Sequence, residues 1–187
     1  RRHLPARAGR TAEWLSRQHG VTASNQLAAA ICALENFARL TGEERFKICA
    51  IERLKELEDL WQPEGFYAEY GGFDLGYLSI TLSLLSGYWQ RTGNELVRQR
   101  CHEALDYMDG FIASDGTYDS SRMQRRTQFI YPRAFAVFGH SALEKVIRGL
   151  RVGRILKPSW LDDRYVVNMA IDYLHTSKVI RDVDDTP

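Results

Sequence analysis

Tyr131 stands directly before Pro132 and close in sequence to Arg125, Arg126 and Arg133. Proline is well tolerated at the first position of a helix, so this spacing predicts a tyrosine at a helix N-terminus. There the helix dipole and nearby guanidinium groups favour a phenolate able to move protons. An aromatic ring packed between helices, its hydroxyl hydrogen-bonded, fits the same position. Arg122, Arg125, Arg126 and Arg133 form the dense run of one charge. With Ser120, Ser121, Thr127 and Gln128 they suit a sulfate, carboxylate or phosphate held by paired guanidinium donors. A solvated loop with ion pairs to Asp115 and Asp119 suits them equally.

A second group, Glu69, Tyr70, Asp74 and Tyr77, follows a glycine-rich turn at the mouth of an apolar run. Two carboxylates there suit glycoside hydrolysis if they stand at the right separation across a sugar. Capping also explains Asp74, with Tyr77 three residues on along the same helix face. The five histidines lack metal-ligand spacing, and no metal or cofactor is expected. "LDDRY" reads as the start of a last helix, with Asp162 or Asp163 at its N-terminus. "VIRDVDDTP" places Asp182, Asp184, Asp185 and Thr186 in a pattern similar to the acid motif of class II terpene cyclases. It is also similar to the nucleophile motif of haloacid-dehalogenase phosphatases. A frayed acidic tail is the plainer reading.

Elements must position these groups, and the chain has room for one substantial core. Its 187 residues are 44% apolar and 26% charged, with a formal net charge of +1. That balance argues against nucleic acid as a partner, and no apolar run reaches the length of a membrane span. Cys32, Cys49 and Cys101 are odd in number and far apart, as buried free thiols would be. Unpaired cysteines and the lack of a visible signal peptide favour the cytoplasm. The chain opens at Arg1 without methionine, so it is expected to belong to a longer protein.

The organisation is repetitive. Thr41-Gly42 matches Thr92-Gly93, and Glu64-Gly65-Phe66-Tyr67 matches Asp115-Gly116-Thr117-Tyr118, each at a spacing of 51 residues. Each unit reads as two helices, a largely apolar one and an amphipathic one. The first kind covers roughly Ser24 to Leu40 and Asp74 to Arg91, and each stops at Thr-Gly. The second covers about Glu43 to Trp61 and Asn94 to Ala113, with Asn94 as N-cap. A third unit begins with a helix over 132–151, and a last helix covers Leu161 to Ile180 after the Lys157-Pro158-Ser159 break. No useful strand pattern appears. The expectation is an all-α chain of ordered hairpins over 11–187, with 1–10 and 181–187 flexible. Buried and amphipathic helices in alternation suggest an α/α toroid, here an incomplete ring or arc.

"ASNQLAAAICALENFARLTG", "PEGFYAEYGGFDLGYLSITLSLLSGYWQRTG" and "SSRMQRRTQFIYPRAF" resemble the α/α-toroid domains of carbohydrate-active proteins, nearest to the heparinase II/III-type polysaccharide lyases. The likeness covers about residues 11–175, mostly as architecture. It implies β-elimination on an anionic polysaccharide or binding of another polar ligand. Asn25 would neutralise the uronate carboxylate with Arg126, and Tyr131 would serve as acid or base. Glu69, Tyr70, Asp74, Tyr77, Arg125 and Gln128 would line the groove. Gln26 follows Asn25 where that family has histidine, which removes one expected catalytic group. A non-catalytic scaffold whose ring is completed by a partner or a second copy is the alternative, and a terpenoid-cyclase-like toroid a weaker one.

Overall fold

The computed structural model describes residues 6–121, 123–161 and 163–184. The first helix, α1, spans Ala6–Arg17, so helix already covers part of the leading segment expected to be flexible. Then come α2 (Ser24–Thr41) and α3 (Glu44–Glu58), followed by α4 (Leu75–Thr92) and α5 (Glu95–Asp109). The second pair begins and ends 51 residues after the first. Both long helices end on a glycine in the left-handed region, Gly42 at φ 78° and Gly93 at φ 67°. The amide of each bonds back to a carbonyl of the last turn, as a helix stop requires. Asn94 caps α5 by accepting the Val97 N–H.

Three expectations need correction. Between α3 and α4 the chain forms a two-residue hairpin, β1 (Trp61–Gln62) antiparallel to β2 (Phe66–Tyr67), where no strand was expected. It is too short to leave an alternating pattern. The helix expected over 132–151 is broken into α6 (Arg133–Val137) and α7 (Ala142–Arg151). Gly139 turns at φ 61° between them, and His140 Nδ1 accepts the Ala142 N–H at the start of α7. After a 3-10 turn at Pro158–Trp160, α8 spans Asp163–Asp184 and passes the Ile180 end expected for it. Asp182 and Asp184 therefore continue a helix, while Asp162, Asp185, Thr186 and Pro187 lie outside the described residues.

The apolar helices α2, α4, α6 and α8 pack neighbour to neighbour, with α3 against α2, α5 against α4 and α7 against α6. Leu27 and Ile31 of α2, Leu78, Leu82 and Leu85 of α4, and Leu105 and Met108 of α5 share the main core with Phe135 of α6. Full burial of each such side chain contributes roughly 1.5–3 kcal/mol. A smaller cluster of Ala12, Leu34, Ala38, Phe46 and Ala50 fixes α1 to the first pair. Two of the hydroxyls that punctuate α4 are satisfied within it: Ser79 donates to the Gly76 carbonyl and Ser86 to that of Ser83. Small side chains let neighbouring backbone approach α4 closely. Among the described residues no helix is long and apolar enough to cross a membrane.

Candidate functional site

The N-termini of α2 and α4 are closed by buried carboxylates in different ways. Asp74 occupies the N-cap of α4 and accepts the Tyr77 N–H at 3.1 Å. Ala23 holds the same position for α2 and has no side chain to offer. Glu69 replaces it from the preceding turn of the next unit. It accepts from Ser24 Oγ at 2.8 Å, from the Asn25 amide at 3.4 Å and from Asn25 Nδ2 at 3.0 Å. Burial raises the Glu69 pKa; its bonds from Ser24 and Asn25 oppose the rise, and nearby Asp74 adds to it.

Asp74 has a second task. Its other contacts hold the extended strap that carries the arginine run: Arg125 N–H at 2.9 Å, Thr127 N–H at 3.4 Å and the Thr127 hydroxyl. Thr127 Oγ1 in turn accepts the Gly76 N–H at 3.0 Å. This fit needs glycine, because a Cβ at Gly76 would stand 2.2 Å from Thr127 Oγ1. The Tyr131 N–H donates to Ser79 Oγ at 2.9 Å, and the Gln128 carbonyl accepts the Leu156 N–H at 2.9 Å.

The strap separates the arginines expected to act together. Arg125 lies over the ring of exposed Tyr70, 4.4 Å from its centroid, and Gln26 reaches the Tyr70 hydroxyl at 3.4 Å. Arg126 is exposed, at φ 51°, and the Gln128 side chain is also exposed. Asp115 turns back on Thr117, and Asp119 accepts the Ser121 N–H. Tyr77 is half-buried and meets Phe129 edge to face, which meets Tyr131 likewise. Arg122 lies outside the described residues.

Among the described arginines of that run, Arg133 alone lines a pocket of about 380 Å³ among α2, α4, α6 and α8. Asn25 and Tyr131 line it too, joined by Ser83, Asn168 and Asp172. Its size lies within the range of small-ligand sites. Asp172 is buried on α8; it accepts the Arg133 N–H at 3.2 Å on one oxygen and the Ser83 hydroxyl on the other. Burial pushes its pKa up to about 6, opposed by Ser83, the Arg133 N–H and the Arg133 charge. The expected Tyr131 phenolate is corrected: burial, and then the Asp172 charge, push its pKa up to about 12. Arg125 and Arg126 do not line this pocket, and the Tyr131 hydroxyl keeps its proton at neutral pH.

Asn25 and Tyr131 are thus brought together, and Glu69 stands one hydrogen bond behind Asn25. Asp74 is a structural knot; Arg125, Arg126 and Gln128 belong to the outer strap, which Tyr70 meets through the Arg125 guanidinium. Asp172 escaped sequence reading although it left a signal. Met169, Asp172 and Thr176 are buried at helical spacing, which puts a carboxylate where α8 should be apolar. Among the described residues no group of histidine, cysteine, aspartate and glutamate is arranged to hold a metal ion, and the three cysteines are free thiols. Compared with family models, curated proteins and solved structures, the chain matches none.

Proposed function

We propose that the chain is an arc of an α/α toroid built on a 51-residue repeat, and that its inner pocket processes an acidic polysaccharide by β-elimination. The observation that carries the reading is the meeting of Asn25, Tyr131, Arg133 and Asp172 on one pocket wall. Elimination needs a cation at the sugar carboxylate, a base for the adjacent carbon-bound proton and an acid for the leaving oxygen. Arg133 takes the first role, replacing Arg126, and Asn25 assists it. Asn25 gives one amide hydrogen to Glu69 and carries a second.

Asp172, ionised above about pH 6, accepts the proton beside the carboxylate. The electron pair left on that carbon forms the new double bond as the glycosidic C–O bond breaks. Tyr131 gives its hydroxyl proton to the departing oxygen, and the proton on Asp172 returns to Tyr131 for the next cycle. Incubation with uronate polymers, followed by ultraviolet absorbance of the unsaturated product, tests this. Activity should rise through about pH 6 and vanish in Asp172→Asn. Absence of unsaturated product from every uronate polymer at high protein concentration would overturn the reading.

A second reading, a binding module completed by a partner, draws on Val167, Ile171 and Leu174. These are exposed on α8 at helical spacing. A strict monomer by light scattering would count against completion by a second copy.

A further inference from the structure

One face of α4 continues past the pocket. Ser83, Gly87 and Arg91 fall at successive turns of that helix, so they share a face. Ser83 meets Asp172, and the Arg133 guanidinium lies flat on Gly87, where a Cβ would stand 2.9 Å from Nη2 and 3.2 Å from Cζ. Gln90 Oε1 accepts from Arg133 Nη2 at 3.2 Å and steadies it. Arg91, in the last turn of α4, completes the row.

Both guanidinium groups have a buried Nε–H with no hydrogen-bond partner among the described residues. Neither lies within ion-pair distance of a carboxylate there. Asp172 faces the Arg133 backbone amide; Arg91 acts on the buried Cys32 thiol, and Glu35, buried on α2, acts on Tyr88. Burial and then Arg91 lower the Arg133 pKa, against the opposing pull of Asp172. Burial, Arg133, Lys178 and Arg91 in turn lower that of His175 on α8. Two like charges with idle buried donors are unfavourable unless an anion joins them.

We propose that Arg91 and Arg133 together bind a tetrahedral oxyanion, a sulfate or phosphate group, beside the Asp172 pocket. A carboxylate occupies one edge of a guanidinium with its two oxygens, whereas a tetrahedral anion has oxygens for the remaining edge of Arg133 and for Arg91 together. The site rests on reading this groove as a ligand site, and not on elimination chemistry within it. A ligand spanning both would carry a sulfate or phosphate ester beside the group that enters the pocket.

Calorimetric titration of the full chain with inorganic sulfate and inorganic phosphate, at ionic strength held constant with chloride, tests the inference. Saturable binding is expected for both anions. Arg91→Gln should weaken it at least tenfold, whereas Arg98→Gln, on the exposed face of α5, should leave it unchanged. Arg91→Lys, which keeps the charge and loses the planar fork, should fall between and serves if the glutamine variant does not fold. A monosaccharide sulfate compared with a monosaccharide phosphate distinguishes the two sources by which binds more tightly. No saturable heat above the chloride control, or equal binding by wild type and both Arg91 variants, would overturn the site. Arg91-dependent anion binding without activity on uronates would leave the site standing and remove the elimination reading alone.

Discussion

The starts of α2, α4 and α6 each meet a buried carboxylate, yet the three acids are not equivalent. Glu69 and Asp74 are enclosed by donors from the turn, the strap and the helix ends. Asp172 closes on Arg133 and Ser83 in the same manner but also forms part of a pocket wall. A carboxylate whose donors all belong to the fold is a fastener. One that keeps an open side in a low-dielectric place retains chemistry, and its raised pKa is the cost of that position.

The sharpest way to break this distinction is to remove Asp74. Asp74→Ala strips a cap and leaves the Arg125 and Thr127 amides without their acceptor. A loss of about 3 kcal/mol or more in urea unfolding is expected. If stability barely changed, the strap would be held by something else. Gly76→Ala attacks the same joint from the helix side by driving a methyl group into Thr127. Roughly 2–3 kcal/mol should be lost, with increased proteolysis in the strap.

Asp172→Asn should do the opposite. The folded state keeps the Asp172 proton up to about pH 6, while the unfolded chain releases it near the ordinary aspartate value of 3.8. Between these values the native protein binds more protons, so wild-type stability falls as pH rises and is flat above. The asparagine variant lacks that fall. It should be more stable than wild type by about 2 kcal/mol near pH 8, converging with it below about pH 4. An asparagine variant less stable than wild type at high pH would make Asp172 a fastener after all.

Glu69→Gln should show the same sign with a smaller gain, within about 1 kcal/mol. The amide it introduces opposes Asn25 Nδ2, which offsets part of the relief from burying a charge. Tyr131→Phe should alter thermal stability least, within roughly 0.5 kcal/mol, while abolishing any elimination.

Where local chemistry decides, the sequence was readable. Thr-Gly marked the ends of α2 and α4, and Asp74 and Asn94 declared themselves as caps. The pairing of helices followed from the alternation of apolar and amphipathic segments. What failed was the arginine run, because neighbours in sequence were treated as neighbours in space. The strap turns Arg126 outward, while Arg133 lines the pocket, where it meets Asp172 39 residues away. Arg91 gave no local hint, since a basic residue in the last turn of a helix is ordinary. Its role depends on Gly87 being bare enough to receive a guanidinium from another helix.

The bond between Ser83 and Asp172 joins residues 89 positions apart, whereas the strap's bonds to α4 span 51 to 53. Long separations carry the larger loop-closure cost, so α8 docks onto a platform that earlier hairpins have already formed. The α8 side of the pocket is therefore expected to open before the strap side. In native-state hydrogen exchange, amides of α8 should open with a smaller free energy than those of α4, exposing Asp172 without global unfolding. On that outcome the cavity would join a floor held by the strap to an acidic wall that separates on its own.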